Sequence, residues 1–302
     1  MSRSRRLLRR GAGLCFCFLV LGCKVSDDAV AASQQMTATA ASLNSYYSAL
    51  SDSIADTIAL YELDAAITGI PFTSESLKLP EETRKEIIQR REIARGLGKL
   101  ASSMSTLSGS NSSKDVETAA KSLGDELIKV KALPGGSPVP DAIGKAGNFL
   151  IQVIQQHEEK QAARAMDQTL EAVGDLFEKE KPTYDSITRM HLDEASLLAK
   201  DLINADDVDP TPMLMPALKP FELEPLPANG QLRGKLKDLA LTRLAASEKE
   251  ATEKEEDASQ AMLSALREMS SRVHLLATEK PMPIRGNPFS LKIVESWAAS
   301  AL

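Results

Sequence analysis

Apolar residues recur every three or four positions along most of this chain, and this spacing is the feature that most constrains its fold. In an α-helix such positions share one face, and that face has to be buried against another element. No segment shows a convincing alternation of apolar and polar residues, which is the pattern of a half-buried strand. Aromatic residues make up only 4% of the 302 residues, whereas strands favour them. We therefore expect an all-α fold.

The apolar stripes, and the Gly, Pro and Ser clusters between them, predict six long helices and a short C-terminal one. The predicted ranges are about 27–68, from 80 to the cluster at 109–113, from 113 to the break at 134–140, 141 to about 181, 183 to about 209, 231–280, and a last helix after Pro288. Amphipathic helices joined by short turns pack economically side by side. We expect an elongated antiparallel bundle with coiled-coil-like packing.

The N-terminus has the composition of a secretory signal. Residues 1–10 contain five Arg and no acid, and an apolar run follows at 11–21. That run is about half of the roughly 20 residues that a spanning helix needs, so a transmembrane anchor is not expected. The sequence Leu19-Val20-Leu21-Gly22-Cys23 resembles the lipobox of bacterial lipoproteins.

This resemblance covers about the first 24 residues and carries several expectations. It implies that residues 1–22 are a removed signal peptide, that Cys23 is acylated (palmitate) in a lipidated N-terminus at 23–26, and that residues 27–302 form the helical domain. Lys24 after the cysteine implies, by the same resemblance, the outer membrane of a Gram-negative envelope, facing the periplasm. Cys15 and Cys17 leave with the signal, so no disulfide or thiolate site is expected.

Charge excludes one class of partner. The whole chain has a net charge of −6, and removal of the five Arg of the signal makes the mature chain more acidic. An acidic protein repels nucleic acid and anionic lipid headgroups. Membrane attachment is therefore expected through the acyl chains alone.

The sequence contains no recognisable catalytic constellation. Its three histidines are His157, His191 and His274, and none follows a Glu at the three-residue spacing of di-iron bundles. His191 and Glu194 lie one turn apart, which we interpret as a solvated polar face rather than a metal site. Gly-rich phosphate loops and Gly-x-Ser-x-Gly motifs are missing. We expect no enzyme, no cofactor and no metal.

His157 falls on an apolar stripe, one turn before Gln161. Two interpretations remain open for it. It forms an interhelical hydrogen bond that fixes register, or it acts as a pH sensor.

Residues 210–230 form a Pro-rich segment that contains six prolines among large apolar residues. A polar linker does not have this composition, because the apolar side chains favour burial. The segment is expected to be an extended strap packed along the bundle. The alternative is a partner-binding segment, whose candidate contact residues are Met213, Leu214, Met215, Leu218 and Phe221.

The charged run at 248–257 interrupts the apolar stripe of the sixth predicted helix. Lys249 and Glu253, and Glu250 and Lys254, are four residues apart and are expected to pair on a solvated face. A projecting arm or an acidic docking face is the functional alternative.

Together these features favour a membrane-tethered, non-enzymatic lipoprotein that acts as a scaffold, spacer or adaptor for an envelope protein. The alternative is a helical lipoprotein that binds a small molecule between its helices, and that function requires an enclosed apolar pocket.

Overall fold

The structure, a computed structural model, describes residues 8–70, 73–105, 112–155, 159–218, 230–278 and 288–300. These residues contain eight helices and no strand, so the all-α prediction is confirmed. In chain order the helices are α1 Leu8–Thr68, α2 Ser74–Ser105, α3 Ser112–Lys129, α4 Asp141–Gln155, α5 Glu159–Asn204, α6 Thr211–Leu218, α7 Gly230–Ala277 and α8 Pro288–Ser300.

The predicted turns after α1 and between α3 and α4 are confirmed. Gly69 ends α1 with a φ of 69°, a left-handed conformation that glycine adopts without strain, and its N–H donates to the carbonyl of Ala65 at 3.0 Å. The break at 134–140 contains a tight turn in which Gly135 has a φ of 70° and the N–H of Gly136 donates to the carbonyl of Leu133.

The predicted division between the fourth and fifth helices is wrong. The first helix of this region ends at Gln155, and α5 then runs through Pro182 without a break. Proline removes one backbone hydrogen bond and crowds the preceding turn. Pro182 is exposed, while Phe177 and Tyr184 on either side of it are fully buried, so core packing holds both halves of α5 in one helix.

Three other boundaries differ from prediction. Helix α1 begins at Leu8 rather than near residue 27, and α2 begins at Ser74, with Pro80 inside the helix. The strap predicted for 210–230 is not extended at its start, because Thr211–Leu218 forms α6. The carboxylate of Asp209 accepts hydrogen bonds from the Thr211 N–H at 3.0 Å and hydroxyl at 2.7 Å, which favours a helix start there.

Helices α1 and α7 each contact four other helices: α1 contacts α2, α5, α7 and α8, and α7 contacts α1, α5, α6 and α8. Helices α5 and α7 are the longest besides α1, with 46 and 48 residues, or roughly 70 Å each. They contact one another, and α6 and α8 pack on α7. A single buried apolar cluster draws residues from α1 to α5, α7 and α8.

Helices α3 and α4 approach each other through two glycines. A Cβ atom added at Gly124 would lie 2.8 Å from the carbonyl oxygen of Gly147 and 2.5 Å from Cγ1 of Ile151. A Cβ at Gly147 would lie 2.8 Å from the carbonyl oxygen of Gly124. The two backbones are in contact here, so neither glycine can carry a side chain without movement of a helix.

Candidate functional site

A buried ion pair joins α2 to α5. Arg90 is 0% exposed and Glu180 is 1% exposed. The guanidinium donates from Nε to Oε2 of Glu180 at 3.1 Å and from Nη2 to Oε1 at 2.5 Å. Nη2 also donates to the carbonyl of Lys131, and Nη1 donates to the carbonyl of Glu86 at 3.1 Å. Burial lowers the pKa of Arg90, but its bonds to Glu180 outweigh burial and raise it, so the cation is held.

Tyrosines extend this ion pair into the centre of the fold. The hydroxyl of Tyr184 donates to Oε2 of Glu180 at 2.5 Å and lies 3.4 Å from the hydroxyl of Tyr47. The rings of Tyr46, Tyr47, Phe177 and Tyr184 lie within 5.3 to 6.3 Å of one another, and the Trp297 ring of α8 lies 4.9 Å from Tyr46. Edge and tilted contacts of this kind contribute about 0.5–1.5 kcal/mol per pair beyond their burial.

A second carboxyl group enters the cluster from α7. Glu255 is 2% exposed, and its Oε1 accepts a hydrogen bond from the Tyr46 hydroxyl at 3.5 Å. Its carboxyl group is also a hydrogen-bond neighbour of Asp185 on α5. Burial, with the nearby Asp185 carboxylate, raises the pKa of Glu255 to about 8, so Glu255 is protonated at neutral pH.

Lys181 joins them, because its Nζ lies 2.7 Å from Oδ2 of Asp185. We refer to these residues as the core polar cluster: Tyr46, Tyr47, Arg90, Glu180, Lys181, Tyr184, Asp185 and Glu255. Burial raises the pKa of each of its three tyrosines, and neighbouring acidic groups raise it further. The phenols are therefore neutral donors, and the cluster links helices α1, α2, α5 and α7 through hydrogen bonds. Such networks favour one arrangement of helices over others. A buried polar group without a partner destabilises the fold by more free energy than a satisfied hydrogen bond contributes.

Our sequence reasoning missed this cluster, although the sequence contains a signal for it. Arg90 lies three residues from Ile87 and four from Ala94, both buried, and Glu180 lies in the same way between Phe177 and Tyr184. Glu255 lies three residues before buried Ala258. A charged residue at a core position of an apolar stripe is the pattern that identifies all three.

The charged run at 248–257 is only partly as predicted. Lys249 and Glu253 pair at 3.7 Å, and Lys254 and Glu250 pair at 2.8 Å, as the four-residue spacing indicates. Glu255 lies on the opposite face and is buried. The prediction of a fully solvated stretch is therefore wrong for Glu255.

The predicted contact residues of the Pro-rich segment are described in part. Met213 and Leu214 are half-buried on α6, which packs against α7. Phe221 lies outside the described residues, as do the side chains of Met215 and Leu218 and all of His157. Cys23 lies within α1, and its side chain is likewise not described.

The other histidines make simple polar contacts. Nδ1 of His191 lies 3.4 Å from the hydroxyl of Thr57, and burial lowers the His191 pKa. His274 Nδ1 lies 2.8 Å from Asp167 Oδ2. Within the described part of the chain, no group of three or more His, Cys, Asp or Glu side chains is arranged to hold a metal ion. Nor does any helix there combine the length and apolar character needed to span a membrane.

Described residues line clefts on the surface. One cleft of about 270 Å³ lies between α7 and α8, where Trp297 meets Lys254, Asp257 and Lys292. Another, of about 460 Å³, is lined mainly by Ser, Thr and charged residues of α2 and α3. Both have charged rims and are open to solvent, unlike the enclosed apolar pockets that small ligands usually occupy.

The two halves of α7 differ sharply in burial. Between Leu232 and Glu250, Ala240 is the one buried residue, whereas most core positions of α7 fall between Glu255 and Val273. Leu232 and Leu239 in the first half are 42% and 57% exposed. Polar bonds hold this half to the end of α5: Lys237 pairs with Asp206 at 2.7 Å, and Ser196 donates to Glu248 at 2.5 Å.

Comparison with known proteins gives no further constraint, since no family model, no curated protein and no solved structure matches the chain.

Proposed function

We propose that this chain is a lipid-anchored, non-enzymatic scaffold or adaptor of the bacterial envelope. In this proposal Cys23 carries the acyl chains in the outer membrane, and the helices form an elongated antiparallel bundle in the periplasm. The observation that carries the proposal is the first half of α7, a helical stretch that contributes one buried residue and exposes two leucines. Isolated helical segments are marginal in water, and exposed apolar residues on them mark contact sites for other proteins.

The position of the anchor supports a rigid attachment. Helix α1 contains residue 23, and among its described side chains, which start at residue 31, the first buried core residue is Ala32. At 1.5 Å per residue, the nine steps from residue 23 to residue 32 span about 14 Å. The bundle would lie close to the bilayer, which is suited to holding a partner at a fixed distance.

The core polar cluster supports a structural role. Arg90 and Glu180 lie beneath the surface and use their polar atoms on each other and on neighbouring helices. A substrate would have no access to them without opening of the fold. The small-molecule alternative relies on the cleft beside Trp297. An open cleft with a charged rim is less suited to a small ligand than an enclosed apolar pocket is, so this alternative has less support than the scaffold role.

The anchor is tested by replacing its sulfur. Cys23→Ser should abolish incorporation of labelled palmitate and release the protein from the membrane fraction, because the acyl thioether requires sulfur. Cys17→Ser is the matched control and should label as the natural sequence does. Equal labelling of Cys23→Ser would refute the lipoprotein assignment.

The adaptor role is tested with a photo-crosslinking residue placed at Leu239 in the native host. Ile128 on α3, which is 45% exposed, is the matched control position. We expect a defined protein adduct from position 239 and not from 128. A stabilising metabolite with no such adduct would favour the ligand-binding alternative.

A further inference from the structure

Two acidic side chains meet where α7 packs on α5, at the edge of the core. Glu255 of α7 and Asp185 of α5 are hydrogen-bond neighbours, and Glu255 is 2% exposed. Carboxylates buried side by side repel one another strongly, because little water screens them.

The charges around this pair do not balance if both carboxyl groups are ionised. Helix α5 supplies one cation, Lys181, whose Nζ lies 2.7 Å from Oδ2 of Asp185. Helix α1 supplies the neutral hydroxyl of Tyr46. On α7 the adjacent Glu256 adds a further negative charge, which is paired with Arg189 on the surface at 3.4 Å. The buried Glu255 and the partly exposed Asp185 therefore share one close cation.

Hydrogen bonding also indicates that one proton is bound between the two carboxyl groups. Oδ1 of Asp185 is buried, and among the described groups it has no donor when Glu255 is ionised. A buried acceptor of this kind is costly unless it is satisfied. One proton on Glu255 supplies the missing donor and removes the surplus charge.

We propose that Glu255 and Asp185 share one proton that fixes α7 against α5 and α1, and that loss of this proton loosens α7, so that the pair is a pH-sensitive latch. The latch goes beyond the scaffold role and depends neither on the lipid anchor nor on a partner. Glu255 lies just after the lightly packed half of α7, at the point where α7 enters the core. Opening there would change how firmly that half is held.

The direction of the pH effect follows from proton binding. The pKa of Glu255 is about 8 in the fold, against an ordinary value of 4.5, so the folded state binds more protons between these limits. Stability contributed by the latch is fully present below pH 4.5, falls as pH rises, and is lost above about pH 8. The equilibrium constant for opening rises by at most about tenfold per pH unit in this window.

The test is hydrogen–deuterium exchange of the full chain from about pH 5 to about pH 9, corrected for intrinsic exchange rates. Peptides from the second half of α7 should lose protection progressively and level off above about pH 8. Glu255→Gln keeps the shape and a donor towards Asp185 without an ionisable proton, so its protection should not change with pH. Glu256→Gln is the matched surface control and should behave as the natural sequence does.

Parallel loss of protection in the natural sequence and in Glu255→Gln would overturn the proposal, as would constant protection in both. If Glu255→Gln fails to fold, Asp185→Asn provides an independent readout. It removes the repelling carboxylate, so the midpoint of the protection change should move to lower pH by at least about one unit. An unchanged midpoint would also overturn the latch.

Discussion

The ion pair between Arg90 and Glu180 yields the most demanding prediction for stability. Glu180→Gln keeps the size of the side chain and removes its charge. The guanidinium then remains 0% exposed, and its one remaining counter-charge among the described residues is the partly exposed carboxylate of Glu86, 3.4 Å from Nη1. The amide group of the introduced glutamine also turns a donor towards Arg90 or Tyr184. Breaking a buried pair by removing one partner costs about 3–5 kcal/mol. The free energy of unfolding of a typical domain is about 5–15 kcal/mol, so this loss would be a large fraction of the total stability.

The measurement is urea unfolding followed by circular dichroism, with the midpoint and slope compared between variants. The control is Glu92→Gln, because Glu92 also bonds an arginine, Arg95, at 2.5 Å, but both side chains are more than 40% exposed. An exposed pair contributes about 0–1 kcal/mol, so the control should change little. A loss below about 1 kcal/mol in Glu180→Gln would refute the argument that burial sets the cost.

A double replacement separates the two explanations for a loss. Arg90→Met with Glu180→Leu removes both charges and keeps apolar volume in the core. Replacing a whole buried pair by apolar residues is often neutral or stabilising, so the double variant should be more stable than Glu180→Gln. The hydroxyl of Tyr184 loses its acceptor in this variant, which limits the recovery. A double variant less stable than Glu180→Gln would show that the site requires charge itself.

Two further predictions follow from the packing. Gly124→Ala should destabilise the fold by about 1–3 kcal/mol, because the added Cβ would overlap Gly147 and Ile151. Gly174→Ala is the control: nothing lies within 4 Å of its added Cβ, so it should stabilise α5 by about 0.5–1 kcal/mol. Thermal unfolding of both variants would check this. The three core tyrosines have raised pKa values, so the fold retains protons that the unfolded chain releases, and stability should fall as pH rises above about 10. The measurement uses a Tyr61→Phe variant, because Tyr61 is the fourth tyrosine of the chain and is only half-buried. In this variant tyrosinate absorbance should rise together with the loss of helix, and a rise that precedes unfolding would contradict the burial of the three core rings.

The helical class and most turns could be predicted from the sequence, because they depend on local patterns. Gly69 and Pro288 were recognised as helix boundaries by residue type alone. The continuation of α5 through Pro182 was not predictable in this way. There a local penalty is outweighed by burial of Phe177 and Tyr184, and burial depends on contacts with distant helices.

The core polar cluster was harder to predict for a related reason. The apolar stripe marks Glu255 as a core position, but a charged run around it obscures this signal, and the stripe does not indicate which group Glu255 meets. Only the pairing of α7 with α5 brings Glu255 to Asp185, and the two residues are 70 positions apart in the sequence. Apolar periodicity identifies the positions that face inward, but it does not identify which partners meet there.

Helix α7 connects the proposed adaptor role with the proposed latch. Its first half is held by polar bonds at Lys237 and Glu248, and its second half is held by the core. The half held by polar bonds and the half held by the core meet at Glu255, where the proposed latch requires a protonated carboxyl group for close packing. Because core packing of α7 begins at this point, loosening of the latch is transmitted to the half that exposes Leu232 and Leu239. Because the opening constant changes by at most about tenfold per pH unit, binding of a partner there would weaken gradually with rising pH rather than in a single step.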